Sequence, residues 1–174
     1  TEATRVVDAS DMTIIPGLID SHVHLFSLPG APFRNESEAE KRELRRIHLR
    51  AYLANGVTSV LDTGISFEHL AETRGSLASG VPGPRVYALG PPLSAPGGYA
   101  DDRPESYAFN FNARNADAVD VMIDQLVSAG TVGVKVKIEY GFGPFNVWPV
   151  HSPEVREALV NAAAERNLPL YIHS

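Results

Sequence analysis

Cysteine is absent from the 174-residue chain, which excludes thiolate metal sites, disulfides and cysteine nucleophiles. Any metal has to be held by His, Asp, Glu or a modified Lys. Basic residues are scarce: 15 Lys and Arg stand against 21 Asp and Glu, a formal net charge of −6. Proteins that track a nucleic-acid backbone carry a basic stripe. The one dense basic cluster here, from Lys41 to Arg50, is interleaved with Glu38, Glu40 and Glu43 and reads as a solvated helix face. No apolar run approaches the roughly 18 residues that would span a membrane, and no signal-peptide pattern opens the chain. The partners expected are therefore neither nucleic acid nor membrane, with a cytoplasmic location as the default. No Gly-x-Gly-x-x-Gly or phosphate-loop motif follows any strand-like run, which removes the usual nucleotide-binding fingerprints.

The composition that remains is 44% hydrophobic, enough for one sizeable core, and the length suits one domain. Residues 4–9 and 11–15 read as short strand-like pieces, the tail of a small β-structure. Pro16-Gly17 is a turn signal, and Leu18 to His22 is the first full strand. Ser37 with Glu40 three residues on is a capping box. Leu44, Ile47, His48, Ala51 and Ala54 then follow at helical spacing until Asn55-Gly56 stops the helix. Val57 to Asp62 is a β-branched strand, residues 66–79 a second helix, and Arg85 to Gly90 a third strand. Asn115 or Asp117 caps a third helix, residues 132–138 form a fourth strand, and Ser152-Pro153 opens a fourth helix. Leu168 to His173 is a fifth strand. His48 reads as structural, and His69 has no partner at useful spacing. This alternation predicts an α/β fold with parallel strands. It fits either an open doubly wound sheet or about five strands of an eight-stranded TIM barrel.

His22, His24, Asp62, Lys135, Lys137 and His173 fall in or at the ends of these strands, and α/β sites form at the carboxyl ends of strands. Side chains alternate faces along a strand, so His22 and His24 share one, roughly 6–7 Å apart. Imidazole is the commonest metal-binding side chain, and two on one face can converge on one ion. An isolated His-x-His is as readily one core and one solvated histidine; His173 on a second strand tips the balance. Residues 133–139 alternate strictly: Val134, Val136 and Ile138 on one face, Lys135, Lys137 and Glu139 on the other. Both faces of a parallel sheet are covered, so inward lysines need a reason. A buried lysine has a lowered pKa, and a neutral amine can take up carbon dioxide to become an anionic carbamate.

The chain resembles the metal-dependent amidohydrolase superfamily, in its imidazolonepropionase-like and metal-dependent prolidase-like branch. The resemblance rests on Pro16-Gly17-Leu18-Ile19-Asp20-Ser21-His22-Val23-His24, Asn55-Gly56-Val57-Thr58-Ser59-Val60-Leu61-Asp62, Val132-Gly133-Val134-Lys135-Val136 and Leu170-Tyr171-Ile172-His173. It implies the first part of a TIM (β/α)8 barrel over residues 16–174, with residues 1–15 a remnant of a small β-sandwich domain. It implies one or two divalent ions, zinc first among them. His22 and His24 would bind one ion, carbamylated Lys135 would bridge and His173 would bind the second. Strand parity does not separate Lys135 from Lys137; the family pattern, a Gly and one apolar residue before the ligand, favours Lys135. The family's further histidine and its catalytic aspartate would lie beyond residue 174, so no catalytic residue is assigned within the chain.

The activity implied is hydrolysis of a C–N bond in an amide, cyclic amide or dipeptide through metal-activated water, with a small-molecule or dipeptide-like substrate and a homo-oligomer allowed. The long segments at residues 91–115 and 140–151 are candidate substrate contacts. Two other readings compete: a catalytically incomplete fragment or assembly subunit, and a phosphoesterase-like metal barrel.

Overall fold

The structure, a computed structural model, describes residues 5–26, 37–99, 101, 111–141 and 147–174. Strands and helices alternate as β1 (Leu18–Val23), α1 (Glu38–Ala54), β2 (Val57–Asp62), α2 (Phe67–Ala78), β3 (Arg85–Ala88), β4 (Leu93–Ser94), β5 (Phe111–Asn112), α3 (Ala116–Ser128), β6 (Val134–Lys137), α4 (Pro153–Glu165) and β7 (Leu170–His173). Every strand pair is parallel.

Each helix starts where a short polar side chain satisfies an otherwise unpaired N–H. Ser37 accepts from the Glu40 amide at 3.3 Å while Glu40 accepts the Ser37 amide at 2.8 Å, completing the capping box of α1. Ser66, Asn115 and Ser152 cap α2, α3 and α4 in the same way, and Pro153 takes the first position of α4, where its missing N–H costs nothing. The chain leaves α1 through Gly56 at φ +79°, while α4 is left through Asn167 at φ +55°, a side chain that tolerates this conformation better than most.

The strands form two hydrogen-bonded groups, β1-β2-β3 and β5-β4-β6-β7. They are joined through residues 85–94. Leu89 N–H donates to Asp62 C=O on one side, and Val132 N–H to Ala88 C=O on the other. The third strand is thus a single run broken into β3 and β4. Gly90, at φ +73°, turns the backbone there, and Pro91 and Pro92 have no N–H to continue a ladder. The run is shorter than the sequence suggests for this reason. Counted this way, five barrel strands (β1, β2, β3–β4, β6, β7) lie in order, with β5 a two-residue addition beside β4. The fold is α/β, the first part of a (β/α)8 barrel.

Two apolar clusters fill the space between strands and helices. Val23, Leu49, Val60, Ile65, Leu70 and Ala88 form one. Leu93, Val119, Ile123, Leu126, Val134, Val136 and Leu159 belong to the other. Val134 and Val136 do face the helices, as the alternation in β6 predicts, which sends Lys135 and Lys137 inward. Residues 5–17 correct the expectation of two short strands: no strand lies there, and Val6, Met12, Ile14 and Ile15 are exposed. An isolated strand has no partner for its N–H and C=O groups, and no described strand pairs with this segment.

His151 occupies a different kind of position. It is buried, and among the described residues neither ring nitrogen makes a hydrogen bond of good geometry, the contact with the Ser94 backbone being marginal. Burial holds its pKa below the ordinary histidine value, the Ser94 backbone partly offsets this, and Arg156 adds to it. The folded state therefore favours the neutral ring, while the unfolded chain protonates near the ordinary value of about 6.5. Stability is full above that pH and is lost as pH falls through it. His151→Phe is expected to flatten the acid limb. The difference in urea midpoint between pH 7 and pH 5 should shrink, and parallel curves for the two proteins would contradict this.

Candidate metal centre

β1 delivers His22 and, one residue past its end, His24. Their ring centroids are 5.5 Å apart in an edge-to-face arrangement. Both residues face solvent at the strand ends, while the backbone that carries them is tightly held. Val23 C=O accepts from Thr63 N–H at 3.0 Å, and Leu25 N–H donates to Asp62 Oδ2 at 2.7 Å. Gly64 lies flat against the His24 imidazole: a Cβ there would sit 3.3 Å from Cε1 and 3.4 Å from Nδ1.

Lys135 lies on the inward face of β6 and is 7% exposed. No carboxylate pairs with it among the described residues. Burial alone lowers its pKa from the ordinary lysine value, as expected for a cation deprived of water. His22, His24 and His173 are each pushed down, by burial first and by Lys135 among the charges. The three imidazoles are thus each within electrostatic reach of this one buried amine.

His173 closes β7, directly opposite Lys137 in the β6–β7 register. Its Nε2 is 3.9 Å from Glu139. The Tyr99 ring stacks on His173 with centroids 4.9 Å apart and planes within 14°. Trp148 meets Tyr99 edge-on at 5.0 Å, and Lys137 Nζ lies 5.5 Å from the Tyr99 centroid. The long segments after β4 and β6 therefore meet against a candidate ligand. Tyr107 and Phe109 of the first segment fall outside the described residues.

Asp62 is completely buried. Burial pushes its pKa up to about 6, against the pull of the Gly64 and Leu25 amides and of nearby His22. His69, which sequence spacing left without a partner, has two: its Nδ1 is 2.6 Å from Ser66 Oγ, and its ring packs on Phe26 at 3.7 Å. Phe26 also lies beneath Arg45, which forms a bidentate pair with Glu72. These contacts fix the start of the β1–α1 connection. His48 lines a cavity of about 410 Å³ with His24, Leu25, Ala51, Tyr52, Asn55 and Val57.

No group of three or more His, Asp or Glu side chains is assembled for an ion among the described residues. The donor set nevertheless fits a divalent ion on one condition. His22 and His24 supply two nitrogens, His173 a third, and Lys135 becomes an oxygen donor only as its carbamate. A buried amine whose charged form is disfavoured has the chemistry that carbamate formation requires.

The sequence profile of the amidohydrolase family matches residues 13–174. The chain belongs to the amidohydrolase family. Among solved structures, an amidohydrolase is similar over 100% of this chain and 47% of its own, at 25% identity and a TM-score of 0.76. A prolidase crystallised with N-methylphosphonate-L-proline matches over 98% and 47%, at 23% identity and a TM-score of 0.70. The ochratoxinase of A. niger matches over 91% and 43%, at 21% identity and a TM-score of 0.68. The chain thus spans about half the length of these amidohydrolase-fold structures. No curated protein matches it significantly. Among the described residues no helix is long and apolar enough to cross a membrane.

Proposed function

We propose that this amidohydrolase chain contributes the first half of a metal-dependent hydrolase that cleaves a C–N bond in an amide, cyclic amide or dipeptide-like small molecule. What supports this reading is that His22, His24 and His173 stand at the carboxyl ends of β1 and β7, each within electrostatic reach of buried Lys135. His22 and His24 would hold one divalent ion, His173 a second, and carbamylated Lys135 would bridge them. Zinc is the first candidate, since imidazole and anionic oxygen suit it well. Such an ion supplies Lewis-acid polarisation of the scissile carbonyl and activation of water near neutral pH.

The chain's own residues then have definite tasks. Carbamate formation joins the Lys135 nitrogen to the carbon of CO2 and releases one proton to solvent. Asp62 and Gly64 hold the His24 backbone and ring. Tyr99 and Trp148 wall the opening beside His173 and exclude water from one side of a bound substrate. The proton shuttle comes from the remaining part of the barrel. Residues 1–15, in which Val6, Val7, Met12, Ile14 and Ile15 are exposed, would belong to a small β-sandwich domain.

The test is metal analysis of the protein carrying the complete barrel. It should hold metal in a stoichiometric amount, and His22→Ala or His24→Ala should each lose it while remaining folded by circular dichroism. A wild-type protein that retains no metal after purification in metal-supplemented buffer would overturn the reading.

A further inference from the structure

The Asp62 carboxylate ends β2 with no exposure to solvent, and among the described residues its hydrogen bonds go to backbone amides. Its two oxygens divide between two backbone donors. Oδ2 accepts Leu25 N–H at 2.7 Å, and Oδ1 accepts Gly64 N–H at 2.8 Å. Leu25 is the residue immediately after His24. Gly64 faces the His24 ring at its Cε1–Nδ1 edge, so closely that a Cβ on residue 64 would come within 3.3–3.4 Å of it. One side chain thus ties together the strand end that carries the imidazole and the turn that limits where the ring can go.

We infer that Asp62 is a positioning residue for the metal site, acting through Leu25 and Gly64 to set the pose of His24. The inference rests on the proposed metal-dependent function. A charge-assisted bond from carboxylate to backbone amide is stronger than a neutral one, and partners of this kind fix the orientation of first ligands. A plain strand-end cap would need only one of the two bonds. The second bond, to Gly64, reaches the surface in contact with the imidazole. Gly64 also suits the role by size: a methyl group there would press on the His24 ring and on Pro92, each 3.3 Å away.

The experiment uses the full-length protein freed of metal and titrated with Co²⁺, followed by its visible absorption and by competition with a chelator. Asp62→Asn keeps the shape but offers one acceptor for two donors. Asp62→Glu keeps the charge and both acceptors but displaces them by one methylene, and serves if the first variant does not fold. In a folded variant, Co²⁺ affinity should fall about 10–100-fold and the ligand-field bands should shift. Leu159→Ala, in α4 and in the apolar cluster that does not include Leu25, should lower the melting temperature and leave both readouts in place. A folded Asp62 variant with wild-type affinity and spectrum would overturn the inference and reduce Asp62 to a structural tie. Failure of the wild-type protein to bind Co²⁺ would instead overturn the proposed function.

Discussion

Lys135→Ala is expected to cut turnover by at least about a hundredfold, since Lewis-acid assistance is worth several kcal/mol and each 1.4 kcal/mol is about a factor of ten. The effect should come with loss of any response to bicarbonate, because the variant has no amine to carbamylate. Lys137→Ala is the matched control. Both lysines point inward from β6, but Lys135 is buried with no carboxylate to hold its charge. Lys137 is only half-buried and rests its ammonium over the face of Tyr99, a contact that carbamate formation would forfeit. Full-length protein expressed or incubated with added bicarbonate should gain activity in the wild type and in Lys137→Ala, and gain none in Lys135→Ala. A bicarbonate response retained in Lys135→Ala would sink the assignment to Lys135.

The largest loss of stability is expected from Leu126→Ala, at about 2–5 kcal/mol. Leu126 is fully buried in the cluster that α3, α4, β4 and β6 share. Its side chain also fills the hollow of the kink between β3 and β4: a Cβ on Gly90 would come within 2.6 Å of Leu126 Cδ2. Its carbonyl accepts from both the amide and the hydroxyl of Thr131, at 3.2 and 3.1 Å, which holds the approach to β6. Truncation would leave a void where the two strand groups join, with stiff neighbours unable to close it. Val121→Ala on the exposed face of the same helix should change stability by less than about 0.5 kcal/mol. Urea denaturation of the two variants in the full-length protein would measure the contrast, and equal midpoints would contradict it.

Local chemistry made much of this legible from the sequence. The capping box at Ser37, the Ser152-Pro153 start and the period-two pattern of Val134 to Lys137 each depend on neighbours along the chain, and each appears where the pattern puts it. The inward lysines and the shared face of His22 and His24 follow from the same parity. Features that depend on distant partners were not legible. Residues 5–17 have strand-like composition but no strand to pair with. The third strand reads as ending by Gly90, but nothing in Gly90-Pro91-Pro92 says that it resumes as Leu93–Ser94 against a different neighbour. Asp62 could be placed at a strand end, but nothing in Asp62-Thr63-Gly64 says that its carboxylate reaches Leu25, 37 residues away in sequence. Tyr99 follows Gly97 and Gly98 in a long loop, and its stacking on His173 has no local signature.

The two outer strands carry a consequence for biogenesis. Leu18 and Ile19 on β1 and Ile172 on β7 are large apolar residues left half or more exposed, and each strand has an unpaired edge in the sheets described. Unpaired edges with apolar side chains are templates for association with other chains. In the proposed full-length barrel this half would leave the ribosome first, at about 5–20 residues per second, and would wait several seconds for the strands that close it. Parallel pairing between distant segments is also slow to form. The interval before closure is therefore when this protein is most prone to aggregate, and its yield should depend more on the speed of translation and on chaperone capacity than the stability of the finished barrel would suggest.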